Sequence, residues 1–280
     1  MTVKIITDSL SDITSDLAEE LGVTVVPLTV LFGHDQYLDR VTISTDEFYS
    51  RLINGDIWPT TTQPTPKAFA EVYDELLGEV DELLVITASS KLSGTYQSAV
   101  GAINMTEKKG RIEVIDSETV AMGLGLIVIN TARKANEGAG IDDLVKHVRS
   151  AVNRSHFVVY FDTLTYLAKG GRIGKAKELM GSVLSIKQIL TVKDGEMAPL
   201  ARKRSLAAGM DYLYNHVGSF KKIEELAVEH TTTLDEADKL ANRVKSLAPD
   251  KHIYRSTVSP VLGVHGGPGA IAVTVLEAEK

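Results

Sequence analysis

Short apolar runs alternating with helix patterns are the feature that most constrains what this chain can become. Val3–Ile6, Val23–Val26, Leu83–Thr87 and Arg111–Ile115 have the length and residue types of strands. Between and after them come helix patterns at Leu17–Leu21, stopped by Gly22, and at Ala121–Ala135 and Ile141–Val152. Strand–helix alternation builds a mostly parallel sheet covered by helices. Three of the strands run into small polar residues, Thr7-Asp8-Ser9, Ala88-Ser89-Ser90 and Asp116-Ser117. Ligands of open parallel sheets sit outside the carboxyl ends of the strands, so these ends are expected to face one cleft. The segment from Leu28 to Pro66 is less regular. Its apolar alternation reaches Phe32, a helix follows near Asp46–Ile53, and a Thr and Pro cluster closes it, so it is expected to be a long excursion of the kind that carries function.

After the strand expected at Phe157–Phe161 the pattern changes. Lys193-Asp194-Gly195-Glu196 lies between the apolar runs Ile189–Val192 and Met197–Leu200, and Asp-Gly supplies the positive φ angles of a tight hairpin turn. Hairpins do not occur inside a purely parallel sheet. The fold class is therefore α/β with two domains, an N-terminal mostly parallel α/β domain over 1–155 and a C-terminal α+β domain over 156–280. The second is expected to hold helices at Leu206–Val217 and Leu234–Leu247 and strands at Leu226–Glu229, Ile253–Ser256 and Ile271–Leu276.

At 280 residues, 44% of them hydrophobic, the chain can bury real cores. A net charge of −7 with dispersed basic residues argues against a nucleic-acid surface and against a polybasic membrane anchor. No apolar run reaches the ~18 residues of a membrane span, and the first strand begins near Met1, so stable membrane insertion and a signal peptide are not expected and a cytoplasmic location is. The absence of cysteine removes disulfides, thiolate nucleophiles and Cys-ligated metals.

Three polar motifs carry the chemistry. In Leu92-Ser93-Gly94-Thr95 the hydroxyls exceed what one helix cap uses, and Gly94 allows close approach to the backbone. Thr60-Thr61-Thr62-Gln63-Pro64 is either a stiff polar loop or a preorganised set of hydroxyls. Val264-His265-Gly266-Gly267-Pro268-Gly269 concentrates glycines beside an imidazole, suggesting a tight backbone path next to a ligand. Such groups at a helix N-terminus grip an anion, and neutral donors without a paired cation suit a monoanion better than a phosphate. Asp8, Ser93 and His265 invite a hydrolase triad, but Lys91 to Thr95 do not form the G-x-S-x-G elbow. Lys169-Gly170-Gly171-Arg172 is not a Walker loop, Gly123-Leu124-Gly125 lacks the third glycine of a dinucleotide fingerprint, and no metal-ligand spacing is present. Arg172, Arg202, Lys203 and Arg204 are the dense basic positions of the second half.

Taken in order, Thr7-Asp8-Ser9, Thr61-Thr62-Gln63-Pro64, Leu92-Ser93-Gly94-Thr95-Tyr96-Gln97-Ser98, Asp116-Ser117, Lys169-Gly170-Gly171-Arg172-Ile173, Lys193-Asp194-Gly195 and His265-Gly266-Gly267-Pro268-Gly269 resemble the DegV family, the bacterial fatty-acid-binding subunits of fatty acid kinase. The resemblance implies a long-chain fatty acid such as palmitate or oleate held between and within two domains. Thr61, Thr62, Ser93 and Thr95 would hold its carboxylate, with the Gly94 backbone and the His265 imidazole nearby. It implies no catalytic residue, metal or cofactor in the chain itself. A separate dihydroxyacetone-kinase-like enzyme would phosphorylate the bound carboxylate to an acyl phosphate for phospholipid synthesis, with Arg172 and Arg202 as docking candidates. Thr62 stands where Ser is commoner, and Lys187-Gln188 where Lys-Pro is usual. The rival readings are a serine esterase or thioesterase using Ser93 and His265, and a passive lipid buffer.

Overall fold

The computed structural model describes residues 3–179 and 186–279. The strands of the first half form a four-stranded parallel sheet. Val23–Val26 lies at one edge, followed by Val3–Asp8, Glu82–Thr87 and, at the other edge, Arg111–Asp116. Val3–Asp8 and Glu82–Thr87 are buried almost throughout, as continuous apolar runs in a covered parallel sheet should be. Local signals hold where they are strongest. Thr14 caps the helix Ser15–Leu21, and Gly22 ends it in the left-handed conformation at φ 68°.

The excursion from Leu28 contains more structure than its irregular pattern suggests. Thr29–Phe32, Asp35–Leu38 and Thr60–Thr62 form a small antiparallel sheet, with Thr29–Phe32 in the middle. The Thr cluster is thus an edge strand and not the stiff loop that was one of its two readings. Three residues are too few to display a period of two, so nothing local could distinguish them from a loop.

The second half supplies a six-stranded mixed sheet. Its order begins with the edge hairpin Glu196–Lys203 and Lys187–Lys193 and continues through Ser155–Phe161, Ile271–Glu277, Ile223–His230 and Ile253–Thr257. Asp194 and Gly195 take φ of 52° and 77°, the two positive angles expected of a tight hairpin turn. Alternation along Ser155–Phe161 separates two cores. Val158 and Tyr160 face the helices Leu206–Gly218 and Leu234–Lys245, whereas Phe157, Val159 and Phe161 face the first half of the molecule. The helix Met122–Asn136 is buried nearly all round because it packs against both large sheets.

Candidate functional site

A cavity opens between the ends of the parallel strands and the inward face of the six-stranded sheet. It encloses about 930 Å³ of empty space when the solvent in its open mouth is counted, and about 120 Å³ of enclosed room for water-sized molecules. Phe157, Val159 and Phe161 form one wall, and Ala272 of the neighbouring strand, with Ala270 just before it, leaves room beside them. Leu10, Val120 and Ala121 close the opposite side. Polar groups gather at one end, where Thr61, Gln63, Ser93, Arg172 and His265 meet.

Each arrives there by a different element. Ser93 sits in the turn after Glu82–Thr87, immediately before the helix Thr95–Ala102. Its Oγ lies 2.8 Å from the Thr95 hydroxyl and accepts the Thr95 N–H at 3.3 Å. Gly94 is the N-cap and contributes no side-chain bond; a Cβ there would come within 2.3 Å of the Gln63 amide. Thr61 projects inward from its edge strand, with Oγ1 3.0 Å from Nε2 of His265. His265 lies in the last turn of the helix Pro260–Gly266. The glycine run is therefore helical as far as Gly266, and only Gly267 and Gly269 adopt positive φ. The path is tightest at Gly267, where a Cβ would come within 2.2 Å of the Tyr166 ring.

The sequence candidates divide. Thr61, Ser93 and His265 line the cavity. Thr62 is exposed and outside the lining, because adjacent strand residues point to opposite faces. Thr95 is fully buried behind Ser93 and orients its hydroxyl, while Gly94 makes room for Gln63. Arg202 is exposed on the edge hairpin. Arg172 occupies the cavity mouth, with Nε donating to the Leu92 carbonyl at 3.2 Å and a second nitrogen to Gly170 at 2.8 Å. A cation does stand beside the neutral donors, which corrects the reading of an uncompensated anion site. Arg172 is 80 residues from Leu92, and such a pairing has no local signature. Gln63 was visible only as part of the Thr motif.

Burial, reinforced by Arg172, lowers the His265 pKa to about 4, so the imidazole is neutral near pH 7. The arrangement does not make a hydrolytic triad. His265 Nε2 faces Thr61 and its Nδ1 has no hydrogen-bond partner among the described residues, while Asp8 accepts the backbone N–H groups of Leu10 and Ala88. Beside the mouth, Trp58 stacks on Tyr166 with ring centroids 4.8 Å apart, and the Lys169 ammonium lies over the Trp58 ring.

A family model described as uncharacterised proteins of the DegV family matches residues 2–278. The chain belongs to the DegV family. A DegV domain-containing protein of Caldanaerobacter subterraneus subsp. tengcongensis is 38% identical over 275 residues, 97% of each chain. Among solved structures, a fatty-acid-binding DegV family protein of Thermus thermophilus superposes with a TM-score of 0.91 at 29% identity, covering 99% of this chain and all of the other. DegV of Bacillus subtilis, a fatty acid binding protein, superposes with a TM-score of 0.92 at 26% identity over 99% and 100% of the two chains. Among the described residues of this DegV protein, no helix is long and apolar enough to cross a membrane.

Proposed function

We propose that this protein binds one long-chain fatty acid, with the tail in the apolar cavity and the carboxylate at Thr61, Ser93 and His265. It then presents that carboxylate to a separate ATP-dependent kinase resembling dihydroxyacetone kinase, whose acyl phosphate product feeds phospholipid synthesis. One observation carries the reading: a mainly apolar cavity in which Thr61, Gln63, Ser93, Arg172 and His265 cluster together matches a molecule with a long tail and a single anionic head. The solved relatives from Thermus thermophilus and Bacillus subtilis, both fatty-acid binders, support it. Roughly 0.8 kcal/mol per buried methylene gives a ~16-carbon tail on the order of 10 kcal/mol of gross stabilisation. The tail then dominates affinity, and the polar end sets orientation.

The same reading divides the labour near residue 155. Residues 1–155 supply Thr61, Ser93 and the closing wall, and residues 156–280 supply the sheet face, Arg172 and His265. Exposed Arg202 and the outer face of Arg172 are the surface offered to the kinase. Native mass spectrometry of the purified protein, followed by denaturing extraction, tests the core of the proposal. A stoichiometric long-chain fatty acid is expected; an empty protein that also refuses added oleate and palmitate would overturn it.

A further inference from the structure

Four carboxyl groups outside the ligand site are buried close behind it. Asp8, Asp12 and Glu229 have no exposed surface, and Asp39 has 2%. Asp8 accepts two backbone N–H groups, and Asp39 accepts the Ser9 hydroxyl at 2.6 Å. The guanidinium beside them belongs to Arg40, which directs hydrogen bonds to the backbone carbonyls of Ser9 and Ile13 at 2.9 and 3.2 Å.

Asp12 and Glu229 come from opposite halves of the chain and meet between the sheets. Asp12 Oδ1 accepts the Ser259 N–H at 3.1 Å. Glu229 Oε2 accepts the Met122 N–H at 3.0 Å, and Oε1 accepts the Ser256 hydroxyl at 3.2 Å. Among the described residues Asp12 Oδ2 is buried without a hydrogen-bond partner, and the side chains beside the Asp12 carboxyl are the Ser259 hydroxyl, itself buried and unpartnered, and the Glu229 carboxyl. Two ionised carboxylates buried against one another repel, whereas a single proton turns their contact into a hydrogen bond.

We propose that Asp12 and Glu229 share one proton, and that this proton fastens the cavity wall so that bound ligand is released faster once rising pH removes it. The effect on ligand rests on the fatty-acid reading above. Met122 directly follows the lining residues Val120 and Ala121, and Ser259 opens the helix that carries Val261 and His265. Ionising both carboxyls therefore strains two wall segments at once. Burial raises the proton affinity of both groups, and the Asp12 charge raises that of Glu229 further. A carboxyl pKa raised by folding contributes stability at low pH that is lost as pH rises through the raised value.

Other titratable groups face the pair. Asp8, Asp39, Arg40 and the Tyr49 phenol pack against it from the first half. Asp16, Glu20, His252 and Arg255 border the crevice that Asp12 also lines. They are common to the wild type and the variants below, so the comparison isolates the pair.

In Glu229→Gln the side-chain oxygen can accept from Met122 while the amide donates permanently to Asp12. Asp12→Asn provides the same bond in the reverse direction. The thermal midpoint and the release rate of preloaded oleate are measured from pH 7 to 10. In the wild type the midpoint should fall and release should accelerate as pH rises, with oleate affinity dropping by up to about tenfold for each unit by which the pair's pKa differs between the loaded and empty forms. Both variants should be folded at pH 7 and lack this component. If both decline with pH as the wild type does, or both are unfolded at pH 7, the shared proton is wrong. A midpoint that follows the prediction in a protein that takes up no oleate would support the shared proton and remove the carrier reading.

Discussion

The Thr61 hydroxyl lies 3.0 Å from Nε2 of His265, joining an edge strand to a helix 204 residues further along the chain. This contact closes the polar end of the cavity and holds the imidazole in a buried position that favours its neutral form.

The first prediction concerns that histidine. Its folded pKa is lowered from 6.5 to about 4, mainly by burial. A depressed histidine contributes stability that is fully present above its unfolded pKa and lost as pH falls through the folded value. Stability should therefore decline between about pH 6.5 and 4, and His265→Gln should show a shallower decline. Urea unfolding at several pH values measures it; parallel slopes for the two proteins would refute the assignment.

Ser93→Ala should separate presentation from binding. It removes one hydrogen bond to a charged head, about 1.5–3 kcal/mol at most, while leaving the larger tail contribution intact. Oleate affinity should fall by no more than about a hundredfold, whereas acyl-phosphate formation with the kinase supplied should drop further. Transfer at the wild-type rate would show that Ser93 does not position the carboxylate.

Ala272 pairs with Val159 across the sheet, and both line the cavity. Ala272→Leu should fill tail space without creating a buried polar group. The expected outcome is a protein with an equal or higher thermal midpoint that retains shorter acyl chains in extraction and mass analysis. An unchanged chain-length profile would place the tail elsewhere.

Arg172 and Arg202 should behave differently. Arg172 stands in the mouth and acts on His265, so Arg172→Ala should speed fatty-acid release and raise the His265 pKa. Arg202→Ala should leave release unchanged and slow only the kinase-dependent step. Stopped-flow release and coupled transfer assays distinguish them, and equal effects in both assays would count against the division.

Legibility in the sequence followed the range of the interaction concerned. The parallel strands, the Gly22 stop and the Asp194-Gly195 turn were all readable, because burial pattern and positive φ are imposed within a few residues. The Thr60–Thr62 strand was not, being specified by pairing with Thr29–Leu31 rather than by its own pattern. The Ser93, Thr61 and His265 motifs were visible as clusters of unusual composition, but composition does not give direction. Strand alternation turns Thr61 into the cavity and leaves Thr62 outside, and packing puts Thr95 behind Ser93.

By itself the sequence determined the alternating architecture, the edge hairpin and the polar motifs that mark the site, since each depends on local periodicity or on a residue's own conformational freedom. Only the tertiary structure decided that Arg172 reaches the mouth, that Ala270 and Ala272 leave space beside Phe161 and Val159, and that Asp12 meets Glu229. Those relationships join residues far apart in the chain, and their energies come from burial and charge proximity that exist only once the sheets have packed.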